Sequence, residues 1–432
     1  MNTNDICLCV NALEKTFSKG GYSNIVLDVF LNREKCDKKF FTALYYGVIE
    51  RKITLDHIIA QYSSKPADKL DSKVLQVLRC GAYMLKFMNV PQNAAVNSSV
   101  EAVKQLGFTS AKGFVNGVLR TFLRANLDYT VPMDELHSFS IIYSAPLWLV
   151  AKWRAEYPED FISLLQSTVT TPKTTLRLNT ARFDKNDIIS ALESESISFS
   201  FSDILDDCIF IESGSVFETE AFKRGMLYVQ DISSQLCSKA LGAVEGSTIL
   251  DVCAAPGGKS FTVAQYINDN GRVISCDLHE KRVKLIKSGA DRLGLDSIET
   301  LVNDATKLNE NIPMADFVLC DVVCSGLGVI SKKPEIKYKS ERDFEKLPHI
   351  QKSILNTSKN YVKKGGFLLY STCTLNKQEN EAVVKDFLLK NPDFEGVPFL
   401  EELGEPFGAY YATVLPKHFS SDGFFIAKFK RV

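Results

Sequence analysis

Two cysteines separated by 49 positions, together with a nearby aspartate, form the pattern with the clearest chemistry in this chain. Cys324 lies three residues after Asp321 in the run DVVCSG, and Cys373 lies in the run YSTCT. Each cysteine follows a short apolar run typical of a buried strand, at 317–320 and 367–370. Because open α/β sheets carry out chemistry at the carboxyl ends of their strands, the pattern predicts two thiols and a carboxylate at one sheet edge. Such a set favours covalent catalysis on a base over structural sulfur.

One reaction that needs these groups is methylation at C5 of a cytosine. That carbon is a poor nucleophile towards a methyl sulfonium until a thiolate adds at C6 of the ring. The addition places negative charge on the ring, which a carboxyl group at N3 and the exocyclic amine stabilises. A second thiol is useful when the product is released. We therefore interpret Cys373 as the nucleophile, Cys324 as the helper in release and Asp321 as the residue that holds the base.

A run of small residues follows the first predicted strand of the C-terminal region and opens a helix. It reads Cys253-Ala254-Ala255-Pro256-Gly257-Gly258-Lys259. Small residues at such a turn let the backbone approach a ligand closely and direct helix N–H groups at it. A nucleotide P-loop is not expected, because Cys253 stands where its first glycine is required, and the chain has no GxGxxG fingerprint.

Acidic residues at or just past the ends of successive strands complete the predicted cofactor site. Asp277 lies 26 residues past Asp251, where a carboxylate can accept both ribose hydroxyls. Asp304 follows the third strand and is expected to face an adenine amine, and Asp321 follows the fourth. A nucleoside without a pyrophosphate fits this set, so S-adenosylmethionine is the predicted cofactor.

The organisation of the chain predicts a multidomain protein. Residues 1–135 show the apolar spacing of an all-α bundle, and 140–228 mix strand-like and helix-like runs as a small α+β linker domain does. From 229 to 432 strands alternate with helices, which implies a parallel sheet of Rossmann-like α/β type. The strands of that sheet are predicted at 248–252, 272–276, 298–302, 317–320 and 367–371.

Composition limits the class of protein further. The 432 residues are 45% hydrophobic and 24% charged, as in an ordinary globular protein, and no apolar run is long enough to span a bilayer. Eleven cysteines without CxxC pairs indicate reduced thiols in the cytoplasm, and five dispersed histidines argue against a metal site. We interpret Cys253, Cys276 and Cys320 as small buried hydrophobes. The net charge of −1 means that any nucleic acid must be bound by local basic patches.

Two basic segments are candidates for contacts with RNA phosphates. A helix beginning near 112 carries Arg120 and Arg124. The segment after Cys324 is expected to form a lip that binds a single strand, with lysines on phosphates and a stacking aromatic, contributed by Lys332, Lys333, Lys337 and Tyr338. The alternative for both segments is a set of solvated charges without a partner.

These motifs together resemble those of a known family. Asp251–Ser260, Asp277, Asp304, Asp321–Gly328 and Ser371–Thr374 are similar to the motif series of RNA cytosine-C5 methyltransferases of the Sun/Fmu group. The N-terminal third, with its runs at 91–97 and 114–120, resembles a NusB-like domain. Residues 176–179 and 229–235 look like the family's entry into its catalytic region, and 422–425 look like its last strand.

The resemblance implies a fold, an activity and site residues. The expected fold is a NusB-like RNA-binding bundle, an RRM-like α+β domain and a class I methyltransferase domain. The expected activity is S-adenosylmethionine-dependent methylation of C5 of a cytosine in 16S rRNA, with Cys373 as nucleophile, Cys324 assisting release, and cofactor contacts from Cys253–Lys259, Asp277, Asp304 and Asp321. The expected partner is 16S rRNA or a small-subunit assembly intermediate, bound by a monomer without a membrane or a metal.

One departure from the family pattern and two alternative functions remain at this point. The family usually has proline directly before the cysteine of the Asp321 motif, where this chain has Val323. Proline fixes φ, so valine could loosen the loop that carries Cys324. The alternative functions are a non-catalytic rRNA-binding assembly factor on a methyltransferase scaffold and a tRNA cytosine-C5 methyltransferase.

Overall fold

The computed structural model describes residues 2–19 and 21–432, and the chain divides into two compact units. The first, here called the helical unit, runs to Thr171 and also contains Ile330–Ser340. The second, the sheet unit, contains Pro172–Val329 and Glu341–Val432. The chain therefore leaves the sheet unit for eleven residues, shortly after Cys324, and then returns. No helix in the described part of the chain is long and apolar enough to cross a bilayer.

The helical unit is built from amphipathic helices around one apolar core. Aspartate side chains begin several of them; for example, Asp37 accepts from Phe40 N and Asp71 accepts from Lys73 N. The helices are α1 Thr3–Lys19, α2 Ser23–Arg33, α3 Lys38–Glu50, α4 Lys52–Tyr62, α5 Ser72–Phe87, α6 Gln92–Gln105, α7 Lys112–Arg124, α8 Glu135–Ile142, α9 Leu147–Glu156 and α10 Phe161–Ser167.

The sheet unit begins with a small antiparallel sheet of order β2-β3-β1-β4. Its elements are β1 Thr174–Leu178, α11 Lys185–Ser194, β2 Ser198–Phe201, β3 Cys208–Ser213, α12 Glu220–Lys223 and β4 Leu227–Val229. Buried Arg177 on β1 donates to Gln265 Oε1 at 2.8 Å and lies over the Tyr266 ring at 4.5 Å. Because both partners belong to the region that follows, the small sheet packs firmly against the larger one.

The larger sheet has the order β10-β12-β9-β8-β5-β6-β7, with β11 paired to β12. Its strands are β5 Thr248–Asp251, β6 Arg272–Asp277, β7 Ile298–Val302, β8 Ala315–Asp321, β9 Val362–Thr372, β10 Phe394–Gly396, β11 Tyr411–Val414 and β12 Phe424–Arg431. The helices are α13 Ile232–Leu241, α14 Gly258–Tyr266, α15 Glu280–Leu293, α16 Leu347–Ser358, α17 Glu381–Lys390 and α18 Pro416–Phe419.

The topology of this sheet positions the site. Strands β9, β8, β5, β6 and β7 are parallel, and β12 runs antiparallel to β9. The chain proceeds outward from β5 to β6 and β7 in one direction, and from β8 to β9 in the other. The strand order therefore reverses between β5 and β8, and ligands of open α/β sheets bind at the carboxyl ends of the strands beside such a reversal. The predicted architecture of bundle, α+β domain and α/β sheet is confirmed.

Candidate active site

The predicted cofactor loop lies between β5 and α14. Ala254 N donates to Cys276 O at 2.7 Å, which fixes the loop against the end of β6. Gly257 has a φ of +114°, and a Cβ at this position would lie 2.2 Å from the Phe261 ring. Only glycine fits there, because an added side chain meets both strain and a ring. The turn brings Gly258 to the start of α14, so the first helical N–H groups face the edge where the strands end.

Asp277 ends β6 and is almost fully buried. Its Oδ1 accepts from His279 N at 3.1 Å, and its Oδ2 lies 3.1 Å from Arg282 Nη1. Each carboxylate oxygen retains acceptor capacity for a diol. The neighbouring Leu278 side chain is 56% exposed, which supplies an apolar surface next to the carboxylate.

Asp304 lies in the turn after β7. Its Oδ1 accepts from Thr306 N at 3.1 Å and Thr306 Oγ1 at 2.6 Å, and its Oδ2 lies 3.0 Å from Lys307 Nζ. These hydrogen bonds lower the pKa of Asp304 to about 2, so the group is ionised at neutral pH. The side chain therefore shapes its own turn and offers a fixed negative acceptor at the end of β7.

A buried carboxylate supports the cofactor loop from below. Asp251 accepts from Ser260 Oγ at 2.7 Å, and Ser275 Oγ donates to that same Ser260 hydroxyl at 2.9 Å. Burial raises the pKa of Asp251 to about 7. This chain of hydrogen bonds connects β5, α14 and β6, so Asp251 positions the loop rather than contacting a ligand directly.

Asp321 ends β8, and its carboxylate pairs with a cation at the edge of the sheet where the strands end. Its Oδ2 accepts from Lys259 Nζ at 2.7 Å, and its Oδ1 accepts from Ser371 Oγ at 2.8 Å. Only 10% of the Lys259 side chain is exposed, and its ammonium lies 4.9 Å from the Phe424 ring centroid. Burial lowers the pKa of Lys259, but the charge of Asp321 more than offsets this and the pKa rises. Lys259 therefore belongs to the reacting part of the site as well as to the cofactor loop.

The structure brings the two cysteines together. Cys324 Sγ lies 3.1 Å from Cys373 Sγ, although the residues are 49 positions apart. The pairing of β8 with β9 places Asp321 opposite Ser371, so the two cysteines lie just past the ends of adjacent strands. Gly328 N donates to Cys373 O at 3.1 Å, which holds the two loops side by side.

The surroundings of the two thiols differ. The hydrogen bond with Cys373, then burial, then the charges of Cys373, Glu379 and Asp321 raise the pKa of Cys324 well above its ordinary value. These influences favour the protonated form of Cys324. The other cysteines of the sheet, Cys276 and Cys320, are buried.

A polar cluster behind the cysteines was not predicted from the sequence. Glu379 is fully buried and accepts hydrogen bonds from Ser325 and from Gln351. Thr374 Oγ1 lies 2.6 Å from Ser325 Oγ and joins the same cluster. The proximity of Glu379 to Cys373 in the sequence was the available signal, but a glutamate in the polar run NKQENE is usually solvated.

The basic candidates of α7 lie at the surface of the helical unit. Arg120 and Arg124 are exposed, and each also bonds within its own helix, to Asn116 and Thr121 at 2.9 Å. A Cβ at Gly117, on the preceding turn, would meet no neighbour within 4 Å. The helix therefore presents open backbone beside two guanidinium groups.

The segment 330–340 does not form the expected lip. Lys337 is fully buried, and its Nζ donates to Glu50 O at 2.8 Å, at the carboxyl end of α3. Tyr338 is half-buried in the helical core, and its hydroxyl donates to Ile49 O at 2.5 Å. Glu335 accepts from Ser23 N at 3.1 Å, at the start of α2. The segment thus satisfies helix ends, which leaves Lys337 no surface for a phosphate.

The remaining lysines of this segment are placed differently. Lys333 is exposed, and Lys332 is half-buried. Lys333 therefore keeps the exposure that a phosphate contact requires. The predicted stacking of a base on Tyr338 does not fit its position among the helices.

A parallel sheet with a small-residue loop after its first strand and acidic residues at the next strand ends has the architecture of an α/β methyltransferase. Family models agree with this class. The 16S rRNA methyltransferase RsmB/F model matches residues 238–430, the NusB family model matches 7–124, and the ferredoxin-like domain of RsmF/B-like methyltransferases matches 145–217.

Full-length relatives agree as well. The chain is 36% identical to the probable ribosomal RNA small subunit methyltransferase B of Bacillus subtilis, with 98% of each chain covered. It is 29% identical to ribosomal RNA small subunit methyltransferase B of Escherichia coli O1:K1, covering 98% of this chain and 97% of the relative. The chain belongs to the family of ribosomal RNA small subunit methyltransferases B.

Solved structures show the same fold. The crystal structure of PH0851 covers 100% of this chain and 99% of its own, with a TM-score of 0.83 at 24% identity. NSun6 from Pyrococcus horikoshii with SFG covers 66% of this chain and 98% of its own, with a TM-score of 0.62 at 21% identity. The predicted family resemblance is thus confirmed over nearly the whole chain.

Proposed function

We propose that this chain transfers a methyl group from S-adenosylmethionine to C5 of a cytosine in 16S rRNA, through a covalent bond between Cys373 and C6 of the base. As a member of its family the chain is a 16S rRNA methyltransferase. The observation that carries the covalent mechanism is the 3.1 Å separation of the Cys324 and Cys373 sulfurs, beside Asp321 on the adjacent strand end.

The residues at the ends of β5, β6 and β7 fit S-adenosylmethionine. The small-residue turn at 253–259 and the start of α14 suit the methionine part, the Asp277 carboxylate suits the ribose hydroxyls, and exposed Leu278 suits one face of the adenine. Asp304 supplies a negative acceptor at the next strand end. When bound, the cofactor supplies the electrophilic methyl group.

The reacting residues have distinct roles in this proposal. The Cys373 thiolate adds at C6 of the cytosine, and the negative charge then spreads to N3, where Asp321 holds the base. Lys259 and Ser371 each hold one oxygen of Asp321, so the carboxyl group keeps a fixed orientation while the charge develops. After the methyl group reaches C5, a base from solvent takes the C5 proton and the C–H electron pair forms the C5=C6 double bond. The bond between Cys373 and C6 then breaks, and its electron pair returns to the Cys373 sulfur.

Cys324 assists that last step from its place beside the Cys373 sulfur. The raised pKa of Cys324 favours its protonated form, which suits a helper in release better than a nucleophile. Cytosine-C5 chemistry requires the base to be unstacked, which an rRNA loop permits at low cost. Exposed Arg120 and Arg124, and Lys333 on the 330–340 segment, are our candidates for phosphate contacts.

We expect the enzyme to act in the cytoplasm as a monomer, on 16S rRNA or on a small-subunit assembly intermediate. Light scattering of the purified chain, and methyl transfer to naked rRNA compared with small-subunit particles, test these two points. Transfer RNA is the control substrate, because the sheet unit alone does not distinguish an rRNA from a tRNA target.

The mechanism is tested by trapping the covalent intermediate. Cys324→Ala and Cys373→Ala are each incubated with S-adenosylmethionine and unmethylated 16S rRNA, and denaturing gels and intact mass detect protein–RNA adducts. We expect an adduct on Cys324→Ala and none on Cys373→Ala, with 5-methylcytidine in the RNA only where Cys373 is present. Cys276→Ala removes a buried thiol from β6 and is the matched control, which should turn over without an adduct.

Two outcomes would contradict the proposal. An adduct on Cys373→Ala alone would exchange the roles of the two thiols. Absence of both the adduct and methyl transfer in the wild type, with S-adenosylmethionine and rRNA still bound, would support the assembly factor instead.

A further inference from the structure

A buried carboxylate holds the peptide that carries Cys324. Glu379 Oε2 accepts from Ser325 N at 2.9 Å, and Glu379 Oε1 accepts from Ser325 Oγ. Ser325 directly follows Cys324, so these bonds fix the chain on the carboxyl side of the thiol. Glu379 itself is fully buried.

The other side of Cys324 is held by the same cluster. Gln351 on α16 donates from Nε2 to Glu379 Oε2 at 2.8 Å and to Val323 O at 3.0 Å. The residues before and after Cys324 are therefore both connected to Glu379, one directly and one through Gln351.

The cluster is also costly, which argues for a role beyond stability. The donors to Glu379 described here, from Ser325, Gln351 and Asn376, are all neutral groups, so a buried carboxylate is retained without a cationic partner among them. In addition, Gln351 Oε1 is buried without a hydrogen-bond partner in the described structure. Replacing such groups with apolar side chains of similar volume is often neutral or stabilising.

We propose that Glu379, acting through Ser325 and Gln351, is a positioning residue that keeps the Cys324 thiol against Cys373 for product release. The proposal rests on the covalent mechanism proposed above. Bound in this way, Cys324 cannot drift away when the Cys373 sulfur moves onto C6 and back. The negative charge of Glu379 is one of the influences that raise the pKa of Cys324, after its contact with Cys373 and its burial.

Glu379→Gln is the informative substitution. It keeps the length of the side chain, but one acceptor oxygen becomes an NH₂ donor that faces the donors from Ser325, Gln351 and Asn376. Asp316→Asn is the matched control, because Asp316 accepts from Thr248 N at 2.9 Å and from Lys363 at the opposite end of β8. Both substitutions remove one carboxylate charge from the sheet unit.

The first readout separates release from the earlier steps. With S-adenosylmethionine and unmethylated 16S rRNA, Glu379→Gln should complete a first methyl transfer within about threefold of the wild-type rate, but its steady-state turnover should fall by about tenfold or more. The step held back is loss of the C5 proton with cleavage of the bond between Cys373 and C6. Methylated adduct should therefore accumulate on Glu379→Gln, as on Cys324→Ala, and not on Asp316→Asn.

The second readout measures thiol geometry without catalysis. Diamide takes up one hydrogen atom from each of two neighbouring thiols as the S–S bond forms. The rate of the Cys324–Cys373 bond, followed by peptide mapping of the full chain, should fall several-fold in Glu379→Gln and stay at the wild-type value in Asp316→Asn. This readout remains valid if the wild type transfers no methyl group, an outcome that would refute the proposed function alone.

Two results would overturn the positioning role. Glu379→Gln could match the wild type in turnover, adduct and diamide rate, which would leave Glu379 no influence on Cys324. Alternatively, adduct formation could be lost together with turnover, as in Cys373→Ala. Glu379 would then support the nucleophile or the fold instead of the release step.

Discussion

Replacing Lys337 by methionine should change how the stability of the helical unit depends on pH. Lys337 is fully buried, and its Nζ donates to Glu50 O. Burial is the main cause that lowers the pKa of Lys337 from 10.5 to about 7; Glu50 opposes the shift and Arg51 adds to it. In the unfolded chain the same amine stays protonated up to its ordinary pKa.

The sign and the size of the change in the free energy of unfolding with pH follow from proton linkage. Between pH 7 and pH 10.5 the unfolded state binds more protons at Lys337 than the native state, so the free energy of unfolding rises with pH. Integrating a folded pKa of about 7 against 10.5 gives a gain of about 2 kcal/mol from pH 7 to pH 9. Methionine has no proton to lose, and its similar length keeps the buried stem packed. The wild type should therefore gain about 2 kcal/mol relative to Lys337→Met over this interval.

Tryptophan fluorescence in urea can measure this in the full chain. Both tryptophans, Trp148 and Trp153, lie on α9 in the helical unit, so their signal reports that unit. Lys333→Met is the control, because Lys333 is exposed on the same segment. Its replacement should change the free energy of unfolding by the same amount at pH 7 and at pH 9. If the free energy of unfolding differs between wild type and Lys337→Met by the same amount at pH 7 and pH 9, the buried amine of Lys337 does not lose its proton in this range and the prediction is wrong.

Two further predictions concern the sheet unit. Lys259→Met leaves the Asp321 carboxylate without its cation, so kcat/KM for methyl transfer should fall by about a hundredfold. Lys259→Arg keeps the charge and should retain part of the activity. Equal activity of Lys259→Met and the wild type would contradict the role of the ion pair. Gly257→Ala places a Cβ 2.2 Å from the Phe261 ring at a φ of +114°. Calorimetry should therefore show that S-adenosylmethionine binds about tenfold or more weakly. Unchanged binding would show that the loop accommodates the added methyl group.

The sheet and the reacting residues could be predicted from the sequence because their signals are local. Most predicted strands of the catalytic region are short, largely apolar runs, and the observed strands at 248–251, 272–277 and 298–302 begin at the predicted residues. The rule that parallel strands end at one edge then brings distant residues together. This rule predicted Cys324 and Cys373 at one sheet edge, and the pairing of β8 with β9 in the structure makes them neighbours.

The position of the 330–340 segment could not be predicted in the same way. Its four lysines and one proline have the composition of a solvated loop, and buried lysines are rare, so the local pattern argues against a buried Lys337. Lys337 and its acceptor at Glu50 are 287 residues apart, and the two belong to runs that share no periodicity. The contact depends on the unpaired backbone groups at the ends of α2 and α3, and these groups can be identified only when the positions of both helices are known.

The same distinction explains why the sequence identifies the two thiols more easily than it separates their roles. The spacing gives both cysteines equivalent places at strand ends, so the assignment of Cys373 as nucleophile depended on its place after Ser371 and Thr372 and on the family resemblance. Buried groups that neither motif shows surround the two thiols: Glu379 and Gln351 hold the peptide on each side of Cys324, and Asn380 bonds to Thr372 and Thr374 on each side of Cys373. The contact with Cys373, burial and the negative charge of Glu379 raise the pKa of Cys324. The surroundings of two identical side chains are therefore a property of packing, which neither cysteine motif shows by itself.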